Sequence, residues 1–254
     1  MKIEHLGQSG LRIDYENQSI LIDPYLSDSV EKLDSSDLVR KVPIPYNPEK
    51  LTNIDWILIT HEHIDHCDPH TIPILAKVNP KAKFIGPKNV RNKLKQWNIQ
   101  KSRIIELKDN PINLTKGLNL LSVPAAHPKI EIASDGYPKN VGWLISNKNT
   151  RIYIAGDTSV HEDIISFLKK IPRIDLAILP VNEDNYFRRE RGIIGNMSIR
   201  EAFGLTDALK IKKLFPVHWD MFEVNNSIPE EIQIIYKSYN WNFKLINDIS
   251  AEEF

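Results

Sequence analysis

Short apolar or alternating runs recur along this chain, each closed by a Gly, Pro, Asp, His or similar turn residue, and apolar residues between them repeat at helical spacing. The runs predict strands at 2–7, 11–15, 19–23, 54–60, 83–85, 118–123, 141–146, 152–155, 175–179 and 214–217. Run 54–60 reads as a buried strand. Helices alternate with the strands. Asp68 and Pro69 offer an N-cap and a first-turn proline for a helix whose Ile72, Leu75 and Ala76 share a face. Ser159 with Glu162 and Ser198 with Glu201 read as capping boxes ahead of the stripes Ile164, Phe167, Leu168, Ile171 and Ile199, Ala202, Phe203, Leu209. The proline-bearing stretch 42–48 is a loop, either a lid over a site or a packed connection. No linker, low-complexity segment or short repeat divides the chain, so 254 residues at 41% hydrophobic content predict one domain over 1–254 with its own core.

Where the runs stop is more informative than the runs themselves. Run 54–60 is followed at once by His61, His63, Asp65 and His66, four ligand-type side chains within six residues. Run 118–123 leads to His127, run 152–155 to Gly156-Asp157, and run 214–217 to His218. Loops at strand ends on a rigid sheet are common sites of chemistry. Histidines two apart on an extended turn can aim at one cation, and Asp65 with His66 can reach a second beside it. Imidazole and carboxylate together suit zinc, manganese or iron, and a close pair of such ions would hold a bridging hydroxide able to attack an ester or phosphoryl centre.

This pattern, H-x-H-x-D-H, then a His, a Gly-Asp and a final His, resembles the metallo-β-lactamase superfamily of dinuclear hydrolases. The resemblance extends from Asp23 to His218. The later stretches 182–189, 194–197 and 218–222 resemble the L-ascorbate-6-phosphate lactonase family within it. The resemblance implies an α/β fold, a four-layer αββα sandwich of two mixed sheets flanked by helices. It implies one metal on His61, His63 and His127, a second on Asp65, His66 and His218, and Asp157 bridging them, the ions being zinc or manganese. Asp65 and His218 become the candidate catalytic residues, Asp65 as proton shuttle, and Asp23 orients the site from behind the ligands. Position 63 is His, whereas the oxygen-reducing diiron branch carries Glu there, which weighs against redox chemistry. The implied activity is that of a lactonase-like hydrolase on a phosphorylated or otherwise anionic sugar derivative, with a small phosphodiester as the alternative and a non-catalytic metal-binding scaffold behind both.

Charge narrows the partners. Lys plus Arg equal Asp plus Glu at 33 each, so no bulk basic surface is available for nucleic acid. Locally, Arg188, Arg189 and Arg191 precede Asn196 and the capping box at Ser198, a candidate anion cradle for substrate. No stretch is long and apolar enough to span a bilayer, and the N-terminus reads as a strand, so the expectation is a cytoplasmic protein that binds neither membrane nor nucleic acid. A homo-oligomer is left open. Cys67, the single cysteine, excludes an intrachain disulfide and is expected to be an inert buried residue.

Overall fold

Ile20-Leu21-Ile22 and Trp56-Ile57-Leu58 are apolar at every position, a pattern that suits a strand whose sheet is covered on both faces. The computed structural model, which describes residues 1–252 and 254, supplies that cover. One sheet consists, in spatial order, of β1 (Lys2–Gly7), β2 (Gly10–Tyr15), β3 (Gln18–Ile22), β4 (Trp56–Leu58), β5 (Lys83–Ile85) and β6 (Ile104–Ile105). The other holds β7 (Ile112–Thr115), β8 (Leu118–Pro124), β9 (Val141–Ser146), β10 (Arg151–Ile154), β11 (Leu176–Pro180), β12 (Lys213–Val217) and β13 (Lys244–Leu245), also side by side in sequence order. In each sheet the first strands pair antiparallel and the later ones parallel, the change falling at β3 and at β10.

Side-chain alternation sorts these strands into layers. Ile20, Ile22 and Leu58 of the first sheet share one cluster with Trp143, Ile152 and Ile178 of the second, so the sheets lie face to face. Leu21, Ile57 and Phe84 point the other way, onto Ile72 and Leu75 of α2 (Ile72–Val78) and Val90 and Leu94 of α3 (Lys88–Gln96). On the far side, Tyr153, Ala177 and Leu179 pack against α4 (Glu162–Leu168), α6 (Ile199–Ala208) and α7 (Pro229–Lys237). Two shorter helices, numbered α1 (Ser29–Leu33) and α5 (Tyr186–Glu190) in chain order, precede loops that reach the site. The architecture is helix, sheet, sheet, helix, as the sequence resemblance implies. Among the described residues, no helix is long and apolar enough to cross a membrane.

The departures from the expected elements are local. Run 54–60 pairs as a strand only over Trp56–Leu58. Beyond that the Thr60 N–H donates to the Asp23 carboxylate at 2.8 Å instead of to a neighbouring strand. The strands β6, β7 and β13 have no sequence signal, being two residues long or, in β7, laced with Asn and Thr. Ser198 and Glu201 do form a capping box, with Glu201 N–H donating to Ser198 Oγ at 3.2 Å and Ser198 N–H to Glu201 Oε2 at 2.9 Å. The Ser159 box does not form, because Ser159 N–H is committed to the Ala126 carbonyl at 2.7 Å and His161 caps α4 instead. Likewise α2 starts at Ile72 with Pro73 in its first turn, while the Asp68 carboxylate accepts the Ser27 hydroxyl and the His70 N–H. The stretch 42–48 is not a lid: Tyr46 donates to Glu4 at 2.8 Å, and the wall of the main cleft comes in part from residues 30–38 and not from this stretch.

Candidate metal centre

The centre is assembled at the C-terminal ends of the strands, beginning with a buried carboxylate. Because β3 and β4 are parallel neighbours, Asp23 after one strand lies beside Thr60 after the other. Asp23 adopts a left-handed backbone (φ 44°) and is 1% exposed. Its Oδ1 accepts the Thr60 N–H at 2.8 Å, and its Oδ2 accepts the Thr60 hydroxyl at 2.5 Å and the His66 Nδ1–H at 2.7 Å. Thr60 Oγ1 lies 3.1 Å from His61 Nδ1, whose N–H it accepts. Fixing Nδ1 in this way leaves the Nε2 lone pairs of His61 and His66 free for a ligand, the usual arrangement behind a metal-bound imidazole. Replacing Asp23 with Ala strands three buried donors, so unfolding of the chelator-treated protein in urea should lose about 3–5 kcal/mol. An unchanged midpoint would remove Asp23 as the anchor.

The second sheet delivers the remaining groups. His127 follows β8, and the neighbouring Ala126 N–H donates to Thr158 Oγ1 at 2.9 Å. Asp157 follows β10 through Gly156, whose φ is 62° and where a Cβ would stand 2.9 Å from the Thr60 side chain; both facts require glycine. His218 follows β12 with a left-handed backbone of its own (φ 60°), its N–H donating to the Gln8 carbonyl at 3.1 Å. Left-handed conformations at Asp23, Gln8 and His218 concentrate backbone strain around one site.

Three groups of donor atoms, each mutually within 4.8 Å, result: His61, His63 and His127; His61, His66 and Asp157; Asp65, His66 and His218. Asp157 spans the groups, with Oδ1 3.2 Å from His66 Nε2 and Oδ2 3.2 Å from His218 Nε2 and 3.7 Å from His127 Nε2. His61 Nε2, His66 Nε2 and Asp157 Oδ1 are buried and make no hydrogen bond. Orphaned polar atoms of this kind cost about 1–3 kcal/mol each, and three facing one another make a donor set that fits divalent cations.

Electrostatics agree with that fit. Burial, then the neighbouring His66 and His63, push His61 well below the usual imidazole range, and burial takes His127 down to about 4, so both offer lone pairs. Burial opposes charge on His66 and His218 too, but Asp157 and Asp65 overcome it, holding His66 well above the imidazole range and His218 at about 9. The same histidines overcome burial at Asp157 and Asp65 and keep both carboxyls well below the ordinary carboxylate range. A cation held by these groups displaces any proton they carry, so its binding depends on pH.

His63, Asp65, His127, Asp157 and His218 open into a cleft of about 770 Å³. Leu38 and the segment after α1 form one part of its wall, Arg191 and Ile193 after α5 another. Of the candidate substrate residues, only Arg191 lines this cleft. The Arg188 guanidinium donates to the Glu183 and Asn226 carbonyls at 2.5 Å each, and Arg189 pairs with Asp184. Asn196 is 2% exposed and donates its amide to Asn182 Oδ1 at 2.9 Å, so it does not join the ligand groups. His161 is a helix cap and His5 packs edge-on to Phe215, both outside the cleft. Cys67 is buried, its thiol pushed up to about 12 by burial, which leaves it unreactive. Two residues escaped the sequence reading. Lys93, whose ammonium donates to the Glu62 carbonyl at 2.7 Å, lines the cleft from a helix face that looks ordinary in sequence. Gln8 reaches the ligands from the β1–β2 turn, and a glutamine between Gly7 and Ser9-Gly10 was its only signal.

Comparison with known proteins places this architecture. The family described as the β-lactamase superfamily domain matches residues 18–219. A UPF0173 metal-dependent hydrolase from Nanoarchaeum equitans is 29% identical over 235 residues, covering 92% of this chain and 90% of that one. An uncharacterised protein from Mycobacterium tuberculosis is 26% identical over 224 residues, 88% of this chain, and the chain spans only 60% of that relative's length. Among solved structures, a metallo hydrolase from Ignicoccus hospitalis superposes with a TM-score of 0.69 at 21% identity, covering 97% of this chain and 95% of its own. Since the family match takes in most of the chain, from β3 to β12, with every ligand-type residue from His61 to His218, the chain belongs to the metallo-β-lactamase superfamily.

Proposed function

We propose that this protein is a dinuclear metal-dependent hydrolase of a small anionic ester, with a phosphorylated sugar lactone as the substrate class. The observation that carries the reading is the convergence of seven ligand-type side chains, five of them with a buried polar atom that makes no hydrogen bond, beside an open cleft. His61, His63 and His127 would hold one ion and Asp65, His66 and His218 the other, with Asp157 shared. Zinc or manganese held there would acidify a water molecule and polarise the oxygen of the scissile bond. The chain's own groups do the rest. His61 and His66 stay oriented by Thr60 and Asp23. Asp65 faces the cleft with Oδ2 3.2 Å from His218 Nε2, where its carboxylate can take up the proton given up by the attacking water and pass it to the leaving oxygen. Arg191 is the arginine at the cleft, with Arg188 and Arg189 engaged elsewhere, and it supports an anionic substrate.

The test is hydrolysis of a phosphorylated sugar lactone, its unphosphorylated analogue and a small phosphodiester by protein carrying a measured metal content. Acid release that depends on metal supports the reading. Release of phosphate alone, or activity in excess chelator, overturns it. Arg191→Ala should raise KM for the phosphorylated lactone roughly tenfold, about 1.5 kcal/mol for a charge-assisted hydrogen bond, with little change in kcat. Equal KM for both lactones in wild type and variant would leave Arg191 as surface charge.

A further inference from the structure

Gln8 is a polar residue with no evident reason to be buried, yet it is 1% exposed at the tip of the β1–β2 turn. Its backbone is left-handed at φ 55°, a conformation that costs a non-glycine residue free energy and persists only where surrounding contacts enforce it. All but one of those contacts, the one to His5, lead to the metal centre. The Gln8 carbonyl accepts the His218 N–H at 3.1 Å and lies 3.0 Å from His5 Nε2. The side chain turns inward, with its amide nitrogen 2.7 Å from Asp65 Oδ2 and 3.0 Å from His218 Nε2. Asp65 itself sits on an irregular turn, and among the described residues its carboxylate meets only His66, His218 and this amide.

We infer that Gln8 is a positioning residue of the metal centre: its amide N–H holds Asp65 Oδ2 against His218, while its carbonyl holds the His218 backbone, so one residue sets the geometry of the second ligand group. The inference rests on the metal reading above and goes beyond it, because Gln8 is not one of the seven ligand-type residues. It also explains the shared strain. Two left-handed residues, Gln8 and His218, are hydrogen-bonded to each other, so the cost at one is held in place by the other.

The left-handed backbone makes the test clean. Gln8→Gly deletes the amide and relieves the strain, so melting of the metal-free protein should be unchanged or raised. Gln8→Asn also tolerates this backbone but is one methylene too short to reach Asp65 and His218 together. Metal-free wild type and both variants are titrated with Co(II) and followed by absorption. Wild type should take two equivalents. Each variant should bind one equivalent normally and the other about ten- to a hundredfold more weakly, with an altered absorption band. Wild-type affinity for both equivalents in either variant overturns the inference. Equal weakening of both equivalents together with lowered melting in both variants also overturns it, since that is a structural role. Failure of wild type itself to bind cobalt overturns the metal reading, and this inference with it.

Discussion

Asp157→Ala should leave a folded protein with little bound metal and a turnover lower by roughly a thousandfold or more. The expectation follows from position. Its two oxygens lie 3.2 Å from His66 Nε2 and 3.2 Å from His218 Nε2, so one carboxylate serves donor groups contributed by both sheets. Removing it takes away the negative charge that offsets several imidazoles and leaves His66 and His218 facing each other without a counter-charge. Losing the metal-supplied stabilisation, several kcal/mol, corresponds to that fall in rate. Metal content and turnover are measured on the same sample, with circular dichroism to establish the fold. A variant with wild-type metal content and turnover would show that Asp157 does not join the groups, and the dinuclear reading would fail.

Asp65→Asn tests the chemistry rather than the assembly. Asparagine has nearly the same shape and can still accept the Gln8 amide N–H through its carbonyl, so the fold and at least part of the metal should remain. What it cannot do is take up and release a proton. Loss of general acid and base help typically lowers turnover by roughly a hundredfold or more. The fall should appear in kcat, with KM for the lactone little changed, because Asp65 acts on the reacting centre and not on a remote anionic group. Full metal with unaltered turnover would remove Asp65 as the shuttle and leave it a ligand only.

Asp157→Ala should lose metal together with turnover and Asp65→Asn mainly turnover, and that difference reflects how each residue is held. Asp157 is 4% exposed, tied to a glycine that admits no side chain, and central to the donor set. Asp65 is on a turn beside the cleft and depends on Gln8 for its placement. Rigidity at the first and exposure at the second suit a bridging ligand and a proton carrier respectively.

The sequence by itself determined most of the strands and the ligand-type residues. Apolar runs announced their strands because a residue buried on either face of a covered sheet must be apolar whatever its partner, and the ligand-type residues stood out because His61, His127, Asp157 and His218 interrupt or follow such runs. The Ser198 capping box was legible for the same reason, since both of its bonds are made within four residues. What depends on distant partners was not legible. Ser159 reads as a cap but is claimed by Ala126 across the fold, and Asp68 reads as a helix start but serves Ser27. Three neighbouring arginines look equivalent in sequence, and only tertiary contacts assign Arg188 to two carbonyls, Arg189 to Asp184 and Arg191 to the cleft. Gln8 is the extreme case: 57 residues from Asp65 and 210 from His218, it meets both only because two sheets stacked face to face bring the β1–β2 turn over the ends of β4 and β12.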